Sequence, residues 1–237
     1  MKHSDALAIT QSLLDKLRPH VLRAEIAGSL RRGKPEVHDA EIVCIPITGV
    51  FTLRDMFDQP IKDITTNALE VYLSQSLASG VWDWELDPIV PRNGPKYKRL
   101  RYSPSPSKGE GRGYGEGLCV DLFITTPRAW GCIYAIRTGP HDFSKMLVTR
   151  AQRMGWFVEG GLLHQHLRTY KTNPKTGEDE PQPCPSGDAC PLVANTPEEI
   201  DFFAKLGLPF IEPDRRVITP SPLKGEGRGE GMVGAGG

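Results

Sequence analysis

The chain has 237 residues and a mass of 26.2 kDa, with 38% hydrophobic residues, 24% charged residues and a formal net charge of zero. That length suits one ordinary domain or two small ones with a real apolar core, and apolar runs such as Ile42-Val43-Cys44-Ile45 are strand-sized, which excludes a membrane span. The start, Met1-Lys2-His3-Ser4-Asp5, lacks a signal peptide's apolar core, and five cysteines at scattered spacing do not make a disulfide framework, so a cytoplasmic protein is expected.

A helix is predicted from a cap at Ser4 or Asp5 toward Arg18, with Ala6, Ile9, Leu13 and Leu17 on one stripe and Pro19 as its stop. Strands follow at Arg23–Ala27 and Asp39–Pro46, then a helix over Thr66–Leu77 with Leu69, Tyr72, Leu73 and Leu77 inward. Lys96–Tyr102 and Leu118–Thr125 read as two further strands. Pro127 opens a helix through Trp130 and Ile133 to Gly139, and another runs from about His141 to Met154. The last predicted helix is Pro197–Leu206, capped by Thr196, with Glu198 and Glu199 in its first turn.

Two stretches are near copies: Pro104-Ser105-Pro106-Ser107-Lys108-Gly109-Glu110-Gly111-Arg112-Gly113 and Pro220-Ser221-Pro222-Leu223-Lys224-Gly225-Glu226-Gly227-Arg228-Gly229. Their composition cannot repay the entropy of folding, so 103–117 is expected to be a disordered insert and 218–237 a disordered tail. Neither copy fits a phosphate-binding glycine motif.

The strongest local signal is Gly28-Ser29-Leu30-Arg31-Arg32-Gly33, followed by Asp39-Ala40-Glu41. On a strand, Asp39 and Glu41 point to the same face, where two carboxylates repel unless a cation sits between them. Magnesium, a hard ion, prefers such oxygen ligands. A third acid, Asp121, stands in the apolar run Cys119-Val120-Asp121-Leu122-Phe123, where an acid usually needs a partner. Three acids beside a Gly-Ser turn make a layout for phosphoryl transfer, with Ser29 and Arg32 placed to hold phosphate oxygens. The bland alternative puts Asp39 and Glu41 on a solvated face, paired with Arg31 and Arg32.

These motifs, with Val120-Asp121-Leu122, resemble the nucleotidyltransferase palm of the DNA polymerase beta-like family, family X. Arg137-Thr138-Gly139, Asp142-Phe143-Ser144 and Gly155-Trp156 are similar to the start of that family's thumb. Glu198-Glu199-Ile200-Asp201-Phe202-Phe203, then Leu206-Gly207-Leu208-Pro209-Phe210-Ile211-Glu212-Pro213 and Arg216, resemble its closing helix and tail. The resemblance covers about residues 5–102 and 118–216. It implies an α/β (α+β) fold: a palm over 1–137 with a mixed sheet and flanking helices, then a small α/β thumb over 138–217.

It further implies a monomer that transfers deoxynucleotides from dNTPs to a DNA 3′-hydroxyl, filling short gaps in repair. Asp39, Glu41 and Asp121 would hold two Mg²⁺ ions, with Mn²⁺ as a substitute, and Asp121 would help activate the primer hydroxyl. Gly28, Ser29 and Arg32 would meet the triphosphate, and Gly139 would lie near the sugar. The chain departs from the pattern at Glu41, usually Asp; at His38, often Gly; and at Ile136-Arg137, often an aromatic pair. The family's larger N-terminal modules have no room ahead of residue 28.

Residues 92–153 carry 12 basic and 4 acidic side chains between acidic flanks, a pattern that suits a polyanion. Lys96, Lys98, Arg99 and Arg101 are the expected DNA contacts, with charged gatekeepers on an edge strand as the alternative. His164, His166, Cys184 and Cys190 could bind zinc, but the Cys spacing is wider than zinc sites use, and strand histidines with free thiols are the preferred reading. Cys44, Cys119 and Cys132 read as small core residues. Rival functions are a nucleotidyltransferase with a non-DNA acceptor and a catalytically weakened DNA-binding homologue.

Overall fold

A computed structural model describes residues 1–57, 59–79, 84–86, 92–102, 118–165, 170–181 and 191–217. Both repeats, His166, Cys184 and Cys190 lie outside the described residues. Helix α1 (His3–Leu17) passes through a 3-10 turn at Arg18–His20 into β1 (Val21–Ile26). A single turn, α2 (Gly28–Arg31), precedes β2 (Asp39–Pro46). A hairpin of β3 (Thr48–Arg54) and β4 (Pro60–Asn67) leads to α3 (Ala68–Ser79), followed by β5 (Trp84–Leu86), β6 (Arg92–Asn93), β7 (Tyr97–Tyr102) and β8 (Leu118–Ile124).

The main sheet runs β1-β2-β8-β7-β5, with β6 also on β7. β2 and β8 are parallel while the other pairs are antiparallel, so the sheet is mixed, as expected. Alternation along the strands divides it cleanly. One face carries Ala40, Ile42, Cys44, Leu100, Tyr102, Val120 and Leu122, all buried under Leu13, Leu14 and Leu17 of α1 and Leu69 and Leu73 of α3. Each buried leucine there contributes roughly 1.5–3 kcal/mol of apolar transfer energy. The opposite face carries Val43, Ile45 and Phe123 under Trp130 and Tyr134 of α4 (Trp130–Thr138). Toward the start of β2, that same face turns polar with Asp39 and Glu41, and Asp121 lies opposite Glu41 in the register.

Helix α4 has a second side. Its Cys132 and Ala135 pack with Phe143, Leu147 and Ala151 of α5 (His141–Arg153) and with Phe202 and Phe203 of α6 (Glu199–Lys205). A small sheet of β9 (Phe157–Glu159), β10 (Leu162–His164) and β13 (Leu192–Ala194) adds Leu163 to this core, and β11 (Tyr170–Thr172) pairs with β12 (Asp179–Pro181). Gly131 lets α4 and α6 touch, since a Cβ there would lie 2.0 Å from the Glu198 carbonyl oxygen. Among the described residues, no helix is long and apolar enough to cross a membrane.

Several boundaries differ from the sequence reading. The N-cap of α1 is Lys2, because the chain start is tied to the loop after α2: the Val37 N–H donates to the Met1 carbonyl (3.0 Å) and the His3 N–H to that of Pro35 (2.9 Å). Thr196 does not cap α6. Its N–H donates to the Arg128 carbonyl and its own carbonyl accepts from the Gly131 N–H, which holds it extended. Glu198 takes the N-cap, in a capping box whose Asp201 carboxylate accepts the Glu198 N–H at 2.9 Å. The β3–β4 hairpin and the short strands β9 and β11 to β13 had no counterpart in the sequence reading, which did place His164 on a strand, here β10.

Candidate functional site

The register of β2 on β8 sets the acids. Asp39 pairs with Cys119 and Glu41 with Asp121, so Asp39, Glu41 and Asp121 share one face of two neighbouring strands. Burial pushes the Glu41 carboxyl up to about 7, and the charges of Asp39 and Asp121 push the same way against Arg137 and Arg32. Burial also raises Asp121, although the Tyr97 hydroxyl donates to it at 2.9 Å and Arg99 forms an ion pair with it at 3.0 Å.

Gly28 opens the turn above Glu41 with a φ of 62°, a conformation that favours glycine. A Cβ at this position would stand 1.8 Å from Glu41 Oε2, so the turn and the carboxylate are in direct contact. The Ala27 N–H donates to the Glu41 carbonyl (2.7 Å), which fixes the turn to β2. Ser29 is half-buried, and Arg32 points back to donate from Nη1 to the Thr138 carbonyl at 2.5 Å. Burial lowers the Arg32 pKa while Glu41 raises it, and its Nε is buried without an acceptor among the described residues.

Arg31 turns the other way. It forms a bidentate pair with Glu199 (2.9 and 2.6 Å), donates to Thr138 Oγ1 (2.7 Å) and stacks 3.8 Å above the Tyr134 ring. Arg216 reaches the same Glu199 carboxylate at 2.8 Å. The Glu199 pKa is lowered: burial works to raise it, and the two arginines together overcome that effect. The Gly28–Arg32 turn is thereby clamped to the α4–α5 junction and to the chain's last described residues.

Glu41 also lines a cleft of about 620 Å³ with Arg137, Gly139, Ser144, Lys145 and Thr149. Gly139 lies at the α4–α5 junction, which Ser144 Oγ pins by donating to the Ile136 carbonyl (2.6 Å). Gly28, Ser29, Arg32, Gly139 and Glu41 are therefore brought together around one cleft and the turn beside it.

The four expected DNA contacts are not brought together, and Lys98 is a correction. It faces the α3 side of the sheet, 1% exposed, and donates to Asn93 Oδ1 (2.6 Å) while pairing with Glu70 (2.8 Å). The period-two alternation of β7 puts Lys98 on the face opposite Arg99 and Arg101. Arg99 is held by Asp121, Lys96 is exposed beside Gly160, and Arg101 lies opposite Cys119. Elsewhere, His164 is buried on β10, and the Cys44 and Cys132 thiols are buried, with that of Cys44 pushed up to about 12.

Three carboxylates are the hard oxygen set that magnesium takes. Burial first, and then the charges of Asp39 and Asp121, raise Glu41, a penalty that a bound cation would relieve, so the donor types suit the ion. Among the described residues, no group of three or more His, Cys, Asp or Glu side chains is placed so that it could hold a metal ion. The Asp121 carboxylate is instead taken by Arg99 and Tyr97. Sequence reasoning missed Tyr97, Glu199 and Arg216, and it assigned Arg99 elsewhere. The register of β7 on β8, which places Arg99 opposite Asp121, would have found one of them.

No protein-family model matches the chain, and no curated protein matches it.

Proposed function

We propose that this chain is a metal-dependent nucleotidyltransferase of the DNA polymerase beta-like type, adding deoxynucleotides from dNTPs to a DNA 3′-hydroxyl. In this reading the main sheet is its palm and residues 138–217 are its thumb. The observation that carries the reading is the placement of Asp39, Glu41 and Asp121 on one face of β2 and β8, against the Gly28 turn.

Magnesium held by those three carboxylates would supply Lewis-acid activation of the hydroxyl and of the phosphate under attack. The chain's own groups do the rest. Gly28 leaves the space that the Glu41 carboxylate fills. Ser29 and Arg32 take phosphate oxygens, Arg32 offsetting charge on the departing pyrophosphate. Asp121, opposite Glu41 on the neighbouring strand, is the carboxylate placed to take the hydroxyl proton. Gly139 admits the sugar, while Lys96 and Arg101 meet DNA phosphates.

A second reading, a DNA-binding homologue with a weakened site, draws on the Arg99–Asp121 ion pair, which occupies a carboxylate that the metals need. One experiment separates the two: extension of a primer across a one-nucleotide gap with magnesium and four dNTPs, beside Asp121→Ala. Template-directed addition that disappears in Asp121→Ala supports the polymerase. Gapped DNA bound without any incorporation supports the weakened binder, and neither binding nor incorporation defeats both.

A further inference from the structure

We infer that Arg137 is a nucleotide-binding residue of this chain, whose guanidinium takes phosphate oxygens of the incoming nucleoside triphosphate in the cleft between Glu41 and α5. The inference rests on the nucleotidyltransferase reading and adds a contact at a position where the resembling family often has an aromatic side chain.

Four observations carry it. Arg137 lines the same cleft as Glu41, Gly139 and Lys145. Its guanidinium carbon lies 4.0 Å over the Phe123 ring, and Phe123 is two residues beyond Asp121 on the same sheet face. Stacking of this kind holds the plane of the guanidinium and leaves its N–H edge free to donate. Among the described residues, no acceptor meets those donors, whereas Arg31, Arg32 and Arg99 around the same site all have acceptors.

The fourth observation is electrostatic. Arg137 shares the cleft lining with Glu41 and lies over Phe123, two residues beyond Asp121, so its charge stands beside the acids. A cation so close to the acids is compensated by them only while they hold no metal. Once cations occupy the carboxylates, this exposed guanidinium beside them is free to take an anion. Lys145 and His141 add donors on the α5 wall, and Glu41 is the one acid among the lining residues. A planar fork of N–H donors matches phosphate oxygens in geometry as well as charge. A cleft of about 620 Å³ is also of the size that small ligands occupy.

The test is equilibrium binding without turnover. The full chain is titrated with the dNTP that matches the template, on a gapped duplex whose primer ends in a 3′-dideoxynucleotide, with Mg²⁺ present. Arg137→Ala is expected to weaken dNTP binding by about ten- to a hundredfold, and Arg137→Lys to recover part of the loss. Gapped-DNA affinity and Mn²⁺ binding, read by electron paramagnetic resonance, are expected to stay within about twofold of wild type. Equal dNTP affinity in wild type and Arg137→Ala would overturn the inference and leave the nucleotidyltransferase reading intact. Parallel loss of Mn²⁺ and dNTP in Arg137→Ala would make Arg137 a supporter of the acid cluster, which also overturns the inference. Wild-type protein that binds no dNTP would remove the reading and the inference together.

Discussion

Arg31 and Glu199, 168 positions apart, close on each other through two hydrogen bonds of 2.9 and 2.6 Å, and Arg216 completes the group from the chain's far end. The carboxylate is 6% exposed and Arg216 fully buried, so neither charge has water to fall back on. Removing the anion leaves two arginines facing each other, one of them with no solvent access. Glu199→Ala is therefore expected to lose about 3–5 kcal/mol of unfolding free energy, measured by chemical denaturation. Arg23 and Glu198, half-buried and exposed, form a similar bidentate pair, and Glu198→Ala should cost about 1 kcal/mol or less through that contact, with about 0.5–2 kcal/mol more for the lost α6 cap. Equal losses for the two substitutions would contradict the distinction drawn from burial.

Gly28 and Glu41 give a prediction that separates folding from function. The atom a Cβ would strike is the far end of the Glu41 side chain, which can swing away, whereas the φ of 62° cannot be relieved locally. Gly28→Ala should fold, at a cost of about 1–2 kcal/mol for the left-handed residue. It should also lower Mn²⁺ affinity and nucleotide addition about ten- to a hundredfold by displacing the carboxylate. A variant that keeps wild-type metal affinity would show that the contact is not what positions Glu41.

The elements legible in the sequence are those with strong end signals. Helix α5 was expected over His141–Met154 and spans His141–Arg153, bounded by Pro140 at its N-cap and by Gly155, whose φ is 77°. The β3–β4 hairpin was not legible: its turn, Asp55-Met56-Phe57, contains no Asn-Gly or Asp-Gly signal, and Met56 and Phe57 are exposed apolar residues in a place that composition would call polar. Strands β9 and β13 are three residues each, too short for period-two alternation to show. The shared face of Asp39 and Glu41 followed from alternation alone. The Arg99–Asp121 and Arg31–Glu199 pairs did not, because each depends on a register or docking that local sequence does not encode.

Lys98 and Arg101 lie three residues apart on β7 and are expected to behave differently. Lys98→Ala removes a buried ammonium and its stem, which should cost about 2–5 kcal/mol, while Lys98→Met fills the space and should cost less than Lys98→Ala. Neither should alter the salt dependence of gapped-DNA binding, since the ammonium never reaches a phosphate. Lys96→Ala and Arg101→Ala should each reduce the slope of log affinity against log salt by about one. A reduced slope in Lys98→Met would restore Lys98 to the DNA interface.

The Glu41 carboxyl sets the pH behaviour of the metal-free protein. Its pKa in the folded chain is raised from an ordinary 4.5 to about 7, so between those values the folded state holds a proton that the unfolded state has lost. Folding stability from this group therefore falls as pH rises from about 4.5 to about 7, by up to about 3 kcal/mol. Asp121, also raised, acts in the same sense, while the lowered Glu199 gains stability as pH rises above its folded-state pKa. The contribution of Glu41 is isolated by subtracting the stability–pH curve of Glu41→Gln, measured in a metal chelator, from that of wild type. The difference should favour wild type least near neutral pH. Magnesium should cancel the decline in wild type alone, because binding to ionised carboxylates releases the proton that burial had retained. A wild-type curve parallel to that of Glu41→Gln across this range would show that burial and the neighbouring acids do not raise the Glu41 carboxyl.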